Sequence, residues 1–210
     1  MRSSPGLRLS LGLCSLLALS CSDMILYRSG EDYFPLVNGS EWKYTCGDDT
    51  SYVEVAGDSF VGGRTATVVL VDYSPDYWYR EPTQARRFFC RTKNVGGFED
   101  TLEARYGLVY MFPFVEGDSW QETFEDTIII LGTDTISYYH RLKAVVADIE
   151  DISVPAGTFG QCYRLDFTEE IHDPDVDTMR YSEWLAPGVG LVKRTTDTRE
   201  EQLAEYRIGP

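Results

Sequence analysis

Apolar and polar residues alternate with a period of two along most of this chain. Trp42, Tyr44 and Cys46 fall on one side of Glu41, Lys43 and Thr45, the pattern of a strand with one buried face. Runs rich in Tyr, Val, Ile, Thr and Phe recur at residues 51–56, 65–73, 86–93, 106–112, 136–149, 158–171 and 190–196, separated by Gly, Pro, Asn and Asp. Such runs predict strands joined by turns. Gly132-Thr133-Asp134 predicts a tight hairpin. Val154-Pro155-Ala156-Gly157 is a further turn, and Pro187 followed by Gly188 suits type II. Helical periodicity is nearly absent, so the prediction is an all-β chain with antiparallel pairing.

One pattern occurs twice. Phe34-Pro35-Leu36-Val37-Asn38-Gly39-Ser40-Glu41-Trp42 returns as Phe112-Pro113-Phe114-Val115-Glu116-Gly117-Asp118-Ser119-Trp120, sharing F-P-x-V-x-G-x-x-W. A looser echo pairs Tyr106-Gly107-Leu108-Val109-Tyr110 with Val189-Gly190-Leu191-Val192-Lys193. The motif reads as a sheet entrance: Pro fixes the approach, Gly supplies a φ that other residues resist, and Trp begins the buried face. The expected architecture is a single domain over residues 32–210, two related antiparallel β units forming a curved sheet, sandwich or half-open barrel.

The segments Tyr33-Phe34-Pro35-Leu36 through Trp42 and Tyr44, Val154-Pro155-Ala156-Gly157-Thr158-Phe159, and Trp184 with residues 186–193 resemble a group of exported bacterial lipoproteins called TapB-like. The resemblance covers most of the chain after residue 20. It implies an all-β fold and brings no catalytic residue with it.

The N-terminus supplies an address. Arg2 and Arg8 precede an apolar stretch over residues 9–19, with small residues before Cys21, the anatomy of an export signal. The stretch is shorter than the roughly 18 apolar residues a lasting membrane helix needs. Ser20-Cys21 resembles the cleavage and acylation site of bacterial lipoproteins, although Ala18 stands where Leu is more usual. The expected division is a signal peptide over 1–20, a tether over 21–31 lipidated at Cys21, and then the β domain. Ser22 directs the expectation to the outer membrane of the bacterial cell envelope.

Charge narrows the partners. The whole chain carries −15, and removing residues 1–20 takes away two arginines and no acid, leaving −17. That balance excludes nucleic acid and electrostatic adhesion to anionic lipid. The membrane partner would be reached through the lipid anchor alone. Three cysteines follow Cys21, so at least one is unpaired. Cys46 with Cys90 is the candidate disulfide, against three buried free thiols.

Candidate chemistry is sparse. His140 falls in a predicted strand and His172 in an acidic segment, with no nucleophile elbow or other triad setting. Residues 169–177 carry closely spaced carboxylates but fail the calcium-loop template at Thr178 and Trp184, so a solvated acidic loop is expected, with no metal and no cofactor. Tyr77, Trp78 and Tyr79, between Pro75 and Pro82, are expected on a loop as candidate contacts for a glycan or an envelope protein. Arg86-Arg87-Phe88-Phe89-Cys90-Arg91 reads as a strand with one solvated face. The expected function is a noncatalytic binding or envelope-assembly module; the alternative is a carrier of an apolar ligand such as lipid in an open barrel, and a hydrolase ranks third. An aromatic content of 13% favours a filled interior over an open one.

Overall fold

A computed structural model describes residues 33–210 apart from 96, 131–133 and 174. The expected signal peptide, Cys21, the whole of the expected tether and the tip of the Gly132-Thr133 hairpin lie outside the described residues. Among the described residues twelve antiparallel strands follow one another: β1 (Glu41–Cys46), β2 (Asp49–Val61), β3 (Arg64–Val71), β4 (Ser74–Glu81), β5 (Gln84–Val95), β6 (Phe98–Met111), β7 (Ser119–Ile130), β8 (Asp134–Val154), β9 (Gly157–Asp173), β10 (Asp175–Ala186), β11 (Gly190–Thr196) and β12 (Glu200–Arg207). They form one sheet in the order β6-β5-β4-β3-β2-β1-β12-β11-β10-β9-β8-β7. Two six-strand meanders therefore join where β1 pairs β12. The outer strands β6 and β7 approach one another to make a nearly closed barrel, the half-open barrel among the expected forms.

The period of two becomes inside and outside. Trp42 and Tyr44 are buried on β1 while Glu41 and Lys43 face out, where they meet Arg207 and Glu205 across the pair with β12. Further ion pairs cover the outer face, Arg141–Glu170 and Arg164–Glu150 among them, which suits water and not the apolar band of a membrane barrel.

One end of the barrel is plugged. Both copies of the repeated motif lie there, and they make the same backbone bonds. Gly39 N–H donates to Val55 O (2.8 Å) and Gly117 N–H to Val146 O (2.9 Å); Ser40 bonds Val37 and Asp118 bonds Val115, each at 3.0 Å; Val55 and Val146 return a bond to Ser40 and Asp118 at 2.9 Å. Gly39 (φ +79°) and Gly117 (φ +87°) take the left-handed conformation that makes this loop possible. Tyr33 and Phe114 pack at 5.6 Å, Phe112 and Phe114 at 5.0 Å, and Trp120 stacks on Phe114 at 6.3 Å, filling the plug with rings.

The seam between β6 and β7 carries side-chain bonds where a ladder would otherwise run. Trp120 Nε1–H donates to Val109 O at 2.9 Å, and Glu122 accepts from Leu108 N–H (2.9 Å), Arg86 (3.1 Å) and Arg105. Close approach on β6 depends on Gly107, where a Cβ would stand 2.5 Å from the Phe89 ring. Gly107→Ala is expected to cost about 1–3 kcal/mol through overpacking, read as a lowered thermal midpoint; an unchanged midpoint would show that Phe89 moves freely aside.

Three expectations are corrected. Cys46 and Cys90 are not bridged; they and Cys162 are free thiols. Cys46 ends β1 and Cys90 lies within β5, with three strands between them at about 4.8 Å per step, whereas a disulfide needs Cβ atoms about 3.8 Å apart. Tyr77, Trp78 and Tyr79 are not on a loop but on β4, because Pro75 falls at the strand's start and Pro82 just after its end. The acidic segment is likewise ordered into β9 and β10, with His172 on β9 opposite Val176. The turn at Pro187-Gly188 forms as expected, with Gly188 at φ +70° and Val189 N–H bonding Ala186 O.

Candidate functional site

Opposite the plug, the barrel interior becomes polar. Inward positions on β5, β6, β8, β9, β10 and β11 bring together Arg91, Glu103, His140, Glu169, Glu183 and Arg194. Two networks result.

The first centres on His140, which is 1% exposed. Its Nδ1 lies 2.9 Å from Glu103 Oε2 and its Nε2 lies 3.0 Å from Glu169 Oε1. Tyr138 O–H donates to the same Glu103 oxygen at 2.8 Å, Arg105 Nε stands 3.0 Å from the other, and Arg91 reaches Glu169 at 3.2 Å. Burial alone would lower the His140 pKa, but the two carboxylates outweigh it and hold the imidazole above its usual value. Burial would likewise raise Glu103 and Glu169. The bonds and charge of His140, aided by Arg105 at one and by Arg87 and Arg91 at the other, hold both below the ordinary carboxylate range. An imidazolium between two carboxylates follows. Phe89 packs edge-on against the ring at 4.8 Å.

In the second network Glu183, also buried, accepts from Arg194 Nε (2.9 Å) and Nη2 (2.6 Å) and from Tyr110 O–H (2.7 Å). Burial and then Glu183 push the Tyr110 phenol well above its ordinary value. Both networks stiffen the wall. With each His140 nitrogen engaged by a carboxylate, the ring has no hydrogen-bonding site turned toward a substrate.

Beside them lies a cavity of about 490 Å³. Phe34, Pro35 and Leu36 form its floor at the plug, Trp42, Val55, Val69 and Trp78 its walls, and Asp72, Ser74 and Arg199 its mouth. A second cavity of about 240 Å³ adjoins it and shares Arg87, Arg194, Arg199 and Glu201. Aromatic side chains thus fill the plug, yet the β1–β5 side of the barrel stays open. The volume lies within the range of small-molecule sites.

The expected ligand contacts divide. Trp78 is buried in the cavity wall, 4.6 Å from Phe34 and stacked 5.9 Å from Tyr110. Tyr77 and Tyr79 point outward by strand alternation, and Tyr79 is covered by Arg64 (4.3 Å) and Tyr106. The three residues therefore make no common platform. Cys162 is a buried thiol, its pKa pushed up to about 11 by burial, and is not poised to react. Among the described residues no cluster of three or more His, Cys, Asp and Glu is placed to hold a metal ion, and no helix is long and apolar enough to cross a membrane.

Residues 135–207 match a family model described as DUF3108-like. Two solved structures are similar. One is a protein from Bacteroides fragilis, assigned as exported with a YmcC-like fold, at TM-score 0.48 and 11% identity; the other, from Parabacteroides distasonis and assigned as a lipoprotein, has TM-score 0.47 and 16% identity. Each comparison covers 84% of this chain and 99% of the other. No curated protein matches the sequence.

Proposed function

We propose that this chain is an exported lipoprotein of the bacterial cell envelope, anchored at Cys21 to the outer membrane, and that it works without catalysis as a binding module for a small amphipathic ligand. The observation that carries the reading is the preformed cavity, open at one end of the barrel and apolar at its floor. A pure scaffold with this aromatic content would fill that space. The likeness to TapB-like lipoproteins agrees with the anchor, and the likeness between the two motif copies supports a barrel built from two copies of one β unit.

Orientation supports the same reading. The described chain begins at Tyr33 in the plug, packed against Phe114 and Tyr163, whereas the mouth lies at the other end. A tether of eleven residues over 21–31 reaches at most about 40 Å. Anchored there, the barrel is attached to the lipid at its plugged end and not at its mouth. A solvated outer face leaves acyl chains as the membrane contact, and several are needed for durable binding.

Native mass spectrometry of the detergent-extracted protein tests both halves. A chain starting at Cys21 with added acyl mass and a co-purifying small molecule is expected. An unacylated chain would remove the anchor, and a barrel that is empty in every preparation and takes up no added ligand would remove the binding function. Cys21→Ser is expected to move the protein from the membrane to the soluble envelope fraction; retention on membranes would mean that another segment holds it.

A further inference from the structure

Resting on the binding function above, we propose that the cavity takes a single-chain amphiphile with an anionic head, a carboxylate or phosphate, and that Arg87 is the residue that holds the head. The apolar part is defined by the floor and walls around Trp42, Val55, Val69 and Trp78. A cavity of about 490 Å³ is of the size that takes one small ligand, so a single-chain amphiphile suits it.

The head follows from how the cations at the polar end are neutralised. Arg194 is committed to Glu183 through two nitrogens, at 2.9 and 2.6 Å. Arg199 reaches Glu201 at 3.1 Å. Arg87 lines both cavities; Asp76 stands 3.9 Å away at the limit of an ion pair, and Glu169, which feels the charge of Arg87, is already bonded to Arg91 and His140. Its Nε is buried and donates to no acceptor among the described residues, as is also true of Arg91, Arg105 and Arg164, but of these four only Arg87 lines the 490 Å³ cavity. A buried guanidinium donor left unmade is costly, and a carboxylate or phosphate matches the planar fork. The Phe89 ring, 4.8 Å from the guanidinium carbon, supports it from the side. Asp76 competes for the same cation, so it sets how tightly an anion binds.

The test uses the full exported chain carrying Cys21→Ser, free of detergent, titrated calorimetrically with dodecanoate, monododecyl phosphate and 1-dodecanol. Both anions are expected to bind about tenfold to a hundredfold more tightly than the alcohol, the worth of one charged hydrogen-bonding partner. The tighter of the two identifies the head. Arg87→Gln should bring the anions to the alcohol's affinity without changing the alcohol, and Asp76→Asn should tighten the anions. Equal binding of acid and alcohol by the unsubstituted cavity overturns the head assignment while the binding module stands, and that comparison holds even if Arg87→Gln fails to fold. If none of the three binds while mass spectrometry finds another ligand, the amphiphile class is wrong. If no ligand is found by either method, the binding function falls with it.

Discussion

Replacing Glu103 by alanine is expected to destabilise the protein by about 3–5 kcal/mol, the usual cost of removing one partner from a buried charged network. Glu103 accepts from Tyr138 and His140 on one oxygen and faces Arg105 on the other. Its loss leaves a buried imidazolium with only Glu169, and strands the Tyr138 hydroxyl in the wall. Denaturant unfolding measures the change. A shift below about 1 kcal/mol, the range of exposed ion pairs, would mean that water already reaches this group. Exchanging Glu103, His140 and Glu169 together for apolar residues of similar volume should cost far less, since no charge is then left alone.

The same network gives a pH dependence with a defined sign. His140 has a raised pKa in the folded chain, so its contribution is fully present below the unfolded value near 6.5 and is lost as pH rises through the folded value. Glu103 and Glu169 have lowered values, so theirs are present above the unfolded value near 4.5 and are lost as pH falls through the folded ones. The network therefore stabilises most between about pH 4.5 and 6.5. His140→Leu should flatten the alkaline side of that profile, and an unchanged slope there would separate His140 from the titration.

Strand alternation made the fold readable before the structure, because one buried face leaves an unmistakable period. Five of the seven predicted strands lie within β2, β5, β8, β9 and β11, and the other two match β3 and β6 but overrun their ends. Residues 72, 73 and 112 extend past the observed strands because Asp72 and the exposed Tyr73 belong to a turn and Phe112 belongs to the plug. Strand β4 was hidden by its prolines, since Pro75 reads as a breaker yet occupies a position where no ladder donor is required. The polar interior was hidden for another reason. A strand that lines a charged lumen puts Arg on both faces, so in Arg86-Arg87-Phe88-Phe89-Cys90-Arg91 the alternation that separates inside from outside is lost. The one visible signal was His140 between Tyr138 and Leu142 on an otherwise apolar stripe. Its partners Glu103 and Glu169 are 37 and 29 positions away, a distance no local pattern spans.

The two motif tryptophans should differ in what their loss exposes, although the loss itself is large for both. Trp42 and Trp120 are equally buried, at 7% exposure. Each donates its ring N–H to a carbonyl on another strand or turn: Trp42 to Val189 O at 2.7 Å, Trp120 to Val109 O at 2.9 Å. Truncation of either to alanine is expected to cost about 3–5 kcal/mol. Strand β1, however, is laddered on both sides, to β2 and β12, so Trp42→Ala should lower global stability while amide exchange keeps its ranking along the chain. Among the described residues strand β7 has a ladder only to β8, and its other edge meets β6 through Trp120 and Glu122. Trp120→Ala should therefore speed exchange around residues 105–110 and 119–124 beyond the global change, because the seam opens locally before the barrel unfolds. Identical exchange patterns in the two variants would mean that Glu122, with Arg86, Arg105 and Leu108, closes the seam by itself.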